Sequence, residues 1–164
     1  MPEGRRPRYY WDTCVFLSAI ERVPDRVAVI EKLLDDADEG RVEIFTSTVS
    51  ITEIAFAKYE KHQRALDGDL ADKISQLWLP TSPIKLIEFH ELIAFAARDL
   101  VRLAMPNEWN LKPMDAIHLA TAQRVGVDAF HTYDSKLNKY RAATGLVIEP
   151  PYAPVLPFPD GLKS

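Results

Sequence analysis

Hydrophobic positions along the chain fall into short β-rich runs separated by longer stretches with helical spacing. PRYYWD (7–12) is dense in aromatic side chains and predicts a first strand. A helical pattern starts at Val15 and continues through RVAVIEKLLDDADEG (26–40). There Val27, Ile30, Leu33 and Leu34 share a face and Gly40 supplies the stop. VEIFTS (42–47) predicts a second strand, followed by helices over SITEIAFAKYEKH (50–62) and DLADKISQLWL (69–79), the latter ended by Pro80. IKLIEF (84–89) predicts a strand feeding a long helix over 90–104, with Leu92, Ala96, Leu100 and Leu103 at helical spacing and Pro106 closing it. KPMDAIHLATA (112–122) opens a further helix that ends near Gly126. VDAFHT (127–132) predicts a strand, residues 134–143 a helix, and LVIE (146–149) a last strand.

Strands separated by helices imply crossover connections. The expected fold is therefore α/β, a three-layer α/β/α arrangement around a mainly parallel central sheet. Composition changes in the tail PPYAPVLPFPDGLKS, where Pro150, Pro151, Pro154, Pro157 and Pro159 rule out a regular helix and predict an extended segment. The chain thus divides into an N-terminal extension (1–7), one α/β domain (8–149) and a proline-rich tail (150–164).

Composition adds bounds. A length of 164 residues suits one domain, and 47% hydrophobic with 27% charged residues is the mix of a globular protein. No stretch approaches the roughly 18 uninterrupted apolar residues of a membrane span. The start, MPEGRRPRYYWD, lacks the apolar core of a secretory signal. The single cysteine, Cys14, allows no internal disulfide and points to a reducing compartment, the cytoplasm. A net charge of −4 argues against a generic DNA-coating protein, although clustered carboxylates awaiting metal would add negative charge of their own.

Four acids fall where ligands bind in open α/β sheets, beyond the carboxyl ends of strands. Asp12 ends the first strand, Glu53 lies in the first turn after the second, Asp115 begins a helix, and Asp134 follows the strand ending at Thr132. Each has a local alternative. Ser50 and Glu53 have the spacing of a capping box, Asp115 gains from a helix N-terminus, Asp134 suits an N-cap and Asp12 a turn. Together, four acids at one kind of position favour a common site. Gathered carboxylates repel unless a cation joins them, and hard oxygen ligands without His or Cys partners select Mg²⁺ or Mn²⁺. Such ions serve phosphodiester hydrolysis. Thr13 and Thr132 are hydroxyls suited to orienting ligands, while Lys112, Lys136, Lys139 and Arg141 are candidate phosphate contacts, the last three also readable as a solvated helix face.

The stretches YYWDTCVFLSAI, STVSITEIAFAKYEK and KPMDAIHLATAQRVGVDAFHTYDSKL, in this order, resemble a PIN domain over about residues 8–149. The resemblance is closest to the VapC-type toxins of bacterial and archaeal toxin–antitoxin pairs. It implies a metal-dependent endoribonuclease, Mg²⁺ or Mn²⁺ as cofactor, and an acidic site at Asp12, Glu53, Asp115 and Asp134. It further implies RNA, single-stranded or in a structured loop, as substrate, a homodimer, and a type II toxin's cognate antitoxin as partner. Two departures stand out: Cys14 occupies a position where the family often has Asn or another small polar residue, and the proline-rich tail extends past the usual compact toxin.

Other assignments fit less well. A receiver-type phosphoacceptor domain would show paired acids after the first strand, and a haloacid-dehalogenase-like phosphatase needs D-x-D where this chain has DTC. His62, His90, His118 and His131 lack zinc spacing with Cys14. His118 is expected as a packed, hydrogen-bonded histidine and Cys14 as a small buried side chain without a base. The alternative from another class is a PIN-like RNA-binding or scaffolding module without significant nuclease activity.

Overall fold

Three consecutive aromatic residues explain why the sheet is covered on both faces. In β1 (Arg8–Trp11), side chains alternate across the strand, so Tyr10 enters one core while Tyr9 and Trp11 enter the other. The structure, a computed structural model, describes residues 4–154. Its five strands are β1, β2 (Glu43–Ser47), β3 (Ile84–Ile87), β4 (Ala129–His131) and β5 (Ile148–Glu149). They form one sheet in the order β3-β2-β1-β4-β5, with every pairing parallel. Tyr10 stands level with Phe45 on one side and Phe130 on the other, and Tyr9 level with Ile44 and Ala129.

Helices fill both layers. α1 (Thr13–Ile20), α2 (Val27–Asp38) and α5 (Gly68–Gln76) bury Val15, Phe16, Ile30, Leu33 and Ile74 against Tyr9, Trp11 and Ile44. On the opposite face α6 (Glu91–Ala104) and α7 (Pro113–Val125) pack Ile93, Ala97, Leu100, Ala116 and Leu119 against Tyr10, Phe45 and Phe130. Pro113 stands at the first helical position of α7, where no N–H is needed, and Gly126 ends it at φ 70. This is the three-layer α/β/α arrangement expected. Among the described residues no helix is long and apolar enough to cross a membrane.

Several elements differ from expectation. The helix over 50–62 is two helices, α3 (Val49–Glu53) and α4 (Lys58–Gln63). The buried Glu60 carboxylate accepts the N–H groups of Ala57 (3.1 Å) and Asp67 (2.8 Å), satisfying backbone on both sides of α4 and stabilising the break. α5 ends at Gln76, short of Pro80. The buried face of α6 is Ile93, Ala97, Leu100 and Ala104, and Leu92 and Leu103 are exposed. The helix over 134–143 is a 3₁₀ helix (Ser135–Tyr140) followed by α8 (Arg141–Thr144). Arg5 pairs with Asp128 at 2.5 Å, tying the N-terminal extension to the loop before β4. Of the tail, Tyr152 packs edge-on against Tyr9 and His131, and residues 155–164 lie outside the described part.

Candidate active site

Parallel strands bring the residues after β1, β2 and β4 to one edge, and α7 delivers its N-terminus there. Asp12 is the N-cap of α1, with extended backbone and a buried carboxylate. Its Oδ1 accepts the Cys14 N–H at 3.1 Å and the Cys14 thiol at 2.7 Å, and its Oδ2 accepts the Thr132 hydroxyl at 2.5 Å. Burial pushes the Asp12 pKa up, and the hydrogen bonds from Cys14 and Thr132 offset only part of that.

Thr132 serves two acids at once. While donating to Asp12, its Oγ1 accepts the Asp134 N–H at 2.9 Å. Asp134 in turn caps the 3₁₀ helix through the Lys136 N–H at 3.0 Å. Capping and membership of the site are thus compatible. Thr13, the first residue of α1, is part-exposed and makes no side-chain hydrogen bond among the described residues. Cys14, the departure from the family pattern, supplies a polar contact after all. Burial first, then Asp12, pushes its pKa up to about 12, so the thiol remains a donor and is a poor nucleophile.

Glu53 does not form the capping box its spacing suggests. Ser50 Oγ is bonded to Thr46 Oγ1 at 2.7 Å, and Glu53 Oε1 lies 2.5 Å from His118 Nε2. Ser50 finds its partner four residues back in β2 and Glu53 finds His118 in α7, and these contacts displace the local motif. His118, buried in α7, has its Nδ1 2.6 Å from the Tyr10 hydroxyl, which accepts the Ser47 N–H at 3.0 Å. Burial holds the Tyr10 hydroxyl well above the ordinary phenol range, hence protonated.

Asp115 is the third residue of α7 and is partly buried. Its pKa is raised, chiefly by burial. His118 opposes the shift, while the charges of Asp134, Asp12 and Glu53 reinforce it. The four acids therefore share one electrostatic neighbourhood. Beside Asp115 and Asp134 lies a pocket of about 260 Å³, whose lining includes Asn110, Lys112, Lys136, Lys139 and Tyr140. Tyr140 is buried, and among the described residues its hydroxyl has no hydrogen-bond partner. Sequence reasoning passed over Tyr140, Tyr10 and Asn110, because nothing in their spacing marks them. Arg141 is not in this pocket: its guanidinium donates to the Ile148 carbonyl, from Nε at 2.9 Å and also from Nη2, and so ties α8 to β5. A larger cavity of about 760 Å³, lined in part by Leu34, Asp38, Lys73 and Leu77, contains none of the four acids.

Among the described residues no three His, Cys, Asp or Glu side chains converge closely enough to form a ready ligand cage. The donor chemistry nevertheless suits a hard divalent cation. Asp12 and Asp115 are destabilised as anions by burial, and Asp115 also by like charge, a penalty that a cation would relieve.

Comparisons with known proteins agree with the fold. The model of the PIN domain matches residues 9–143. No curated protein matches the sequence. Among solved structures, a chain of VapBC2 from Rickettsia felis, bound to a promoter DNA fragment, is 15% identical with a TM-score of 0.64, covering 87% of this chain and 98% of that one. VapC20 of Mycobacterium tuberculosis, a Sarcin-Ricin loop cleaving toxin, is 14% identical with a TM-score of 0.59, covering 91% of this chain and 99% of that one. A chain of DNA-bound VapBC from Salmonella typhimurium is 13% identical with a TM-score of 0.61, covering 88% and 98% respectively. Identities this low speak for a shared fold.

Proposed function

The chain belongs to the PIN domain family, and from that premise we propose that it is a divalent-metal-dependent endoribonuclease, the toxin of a type II toxin–antitoxin pair acting in the cytoplasm. What supports this reading is that four acids from four separate segments share one electrostatic neighbourhood, with Asp115 and Asp134 in a lysine-lined pocket. Asp12, Glu53, Asp115 and Asp134 would hold Mg²⁺ or Mn²⁺. When bound, the ion polarises the scissile phosphoryl group and makes water a stronger nucleophile.

The remaining work falls to the chain itself. Thr132 locks Asp12 and Asp134 together, and Cys14 satisfies the second Asp12 oxygen. Thr13 stands beside Asp12, open to a bound water. Lys112, Lys136 and Lys139 line the pocket as phosphate contacts, with the Tyr140 hydroxyl as a neutral donor. Arg141 leaves this group, since Ile148 already occupies its guanidinium. RNA is favoured as substrate, single-stranded or in a structured loop, in keeping with the loop-cleaving toxin among the similar structures.

A cognate antitoxin and a second copy are the proposed partners. Exposed Ile51, Phe56, Tyr59 and Leu66 on one side, and Phe89, Leu92 and Phe95 on another, supply the apolar surface such contacts need. Similar structures include toxin–antitoxin complexes.

The test is incubation of the pure chain with single-stranded and hairpin RNA in Mg²⁺ or Mn²⁺, then in EDTA, alongside folded Asp115→Asn. Metal-dependent cleavage lost in the variant is expected. Binding without cleavage under every condition would instead support the scaffolding alternative, and equal cleavage by the variant would move the site elsewhere. Growth arrest on expression, relieved by the product of a neighbouring reading frame, tests the toxin role; harmless expression of active enzyme would refute it.

A further inference from the structure

The hydrogen bonds behind Glu53 run in one direction, and the backbone sets that direction. The Ser47 N–H can only donate, and it donates to the Tyr10 oxygen at 3.0 Å. Tyr10 has a single hydroxyl proton. Of the side chains beside it, the Thr46 and Thr121 hydroxyls donate to the Trp11 and Ile117 carbonyls, and His118 Nδ1, the strongest acceptor, lies at 2.6 Å, so the proton points at that nitrogen. In the neutral form of the ring Nδ1 therefore accepts, which puts the ring proton on Nε2, facing Glu53 Oε1 at 2.5 Å. Tyr10, Ser47 and His118 are buried at 0%, 0% and 2% exposure, so water has little access to reverse any link. The relay begins in β2, passes through β1 and α7, and ends on the last residue of α3.

Glu53 needs such a hold. It lies at the end of a five-residue helix, just before the break at 54–57, and its side chain is 24% exposed. A carboxylate in that position samples several rotamers unless another group selects one. Unlike the Asp12 carboxylate, whose two oxygens both accept hydrogen bonds, Glu53 has only Oε1 engaged among the described residues.

We propose that Tyr10 and His118 are positioning residues. Their one-way relay from the Ser47 amide fixes Glu53 by Oε1 and leaves Oε2 as the oxygen offered to a divalent cation. The inference rests on the reading that Glu53 belongs to the metal-holding acids. Neither Tyr10 nor His118 touches the substrate. They act through Glu53, as partners behind a ligand do when they orient it before the ion arrives.

Two measurements test this without relying on RNA cleavage. In the full chain labelled with ¹⁵N, two-bond imidazole correlations at about pH 8 should report His118 as the Nε2–H tautomer. Tyr10→Phe removes the donor to Nδ1 and should mix the tautomers. By calorimetric titration it should weaken Mn²⁺ binding about 10-fold or more. His118→Gln keeps an amide donor toward Glu53 and should retain most of the Mn²⁺ affinity, whereas His118→Leu should lose it. In kinetics, Tyr10→Phe should lower kcat with KM for RNA unchanged.

A wild-type Nδ1–H tautomer would overturn the proposal. So would Tyr10→Phe with unaltered tautomer and affinity, or equal losses in His118→Gln and His118→Leu at matched folded fraction. The His118 pair decides the matter should Tyr10→Phe fail to fold. A wild-type chain that shows the relay and binds Mn²⁺ yet cuts no RNA would end the nuclease reading and leave the relay standing. A wild-type chain with no saturable Mn²⁺ binding would remove the relay's purpose and overturn it.

Discussion

Replacing Asp115 by Asn should abolish cleavage and, in metal-free protein, raise stability. Asp115 accepts no side-chain hydrogen bond among the described residues, so the substitution breaks none there. It does remove one negative charge from the neighbourhood of Asp134, Asp12 and Glu53. At an effective dielectric of about 20, like charges in contact cost about 4 kcal/mol and the repulsion falls inversely with distance, so neighbours beyond contact cost on the order of 2 kcal/mol. Asp115 is only partly buried, so screening reduces this, and the Asn forfeits about 0.3–1 kcal/mol of favourable interaction with the α7 N-terminus. The balance is a gain of about 1 kcal/mol, a rise of about 2–4 °C in Tm for a domain of this size. The gain has a pH signature. The folded pKa is raised, so the native state holds more protons than the unfolded chain, and wild-type stability falls as pH climbs from the ordinary 3.8 through the raised value. The advantage of Asp115→Asn should be full at neutral pH and vanish below about pH 4. Calorimetric melts in EDTA across that range provide the assay. A lower Tm at neutral pH, or a pH-independent difference, would refute the electrostatic account.

Further outcomes follow from the same geometry. Mg²⁺ or Mn²⁺ should raise the Tm of wild type at about pH 7.5 in a concentration-dependent manner, and much less in Asp12→Asn, as measured by fluorescence melts with EDTA reversal. Cys14→Ala removes the thiol donor from a buried carboxylate and should cost about 1.5–3 kcal/mol in urea unfolding, while Cys14→Ser restores the donor and most of the stability. Lys136→Ala with Lys139→Ala should raise KM for RNA and flatten the dependence of binding on salt, with kcat little changed. Arg141→Ala should leave that salt slope intact and lower the Tm instead, since its partner is the Ile148 carbonyl.

The parallel sheet was legible because each strand is a short aromatic or β-branched run and each connection is long enough for a helix. The acids were legible for the related reason that such a sheet has one ligand-binding edge. What escaped depends on particular side-chain and main-chain hydrogen bonds, and in one helix on packing, rather than on hydrophobic spacing. The break after Glu53 is held by Glu60, whose carboxylate serves the backbone of Ala57 and Asp67, and no periodicity announces that. In ELIAFAARDLVRLA, apolar residues occupy adjacent positions, so two helical faces satisfy the same pattern, and packing selects Ile93 and Ala97 over Leu92 and Ala96. Ser50 and Glu53 had the spacing of a cap, but Ser50 is bonded to Thr46 in the preceding strand and Glu53 to His118 in α7. Arg141 looked like part of a basic run; its acceptor is a main-chain oxygen, which carries no signal in the residue type.

The hydroxyl of Thr132 joins Asp12 to Asp134 across nearly the whole length of the chain, and this has a consequence for the order of synthesis. β1, which leads into Asp12, is made before the other strands yet lies at the centre of the sheet, and its neighbour β4 is made only after β2 and β3. Until residues 129–134 have emerged, one flank of β1 is open, Asp12 lacks its Thr132 donor, and neither Asp134 nor the lysine pocket exists. Until that pairing forms, a growing chain lacks the site proposed here, so the proposed activity belongs to the closed sheet and to no earlier segment of it.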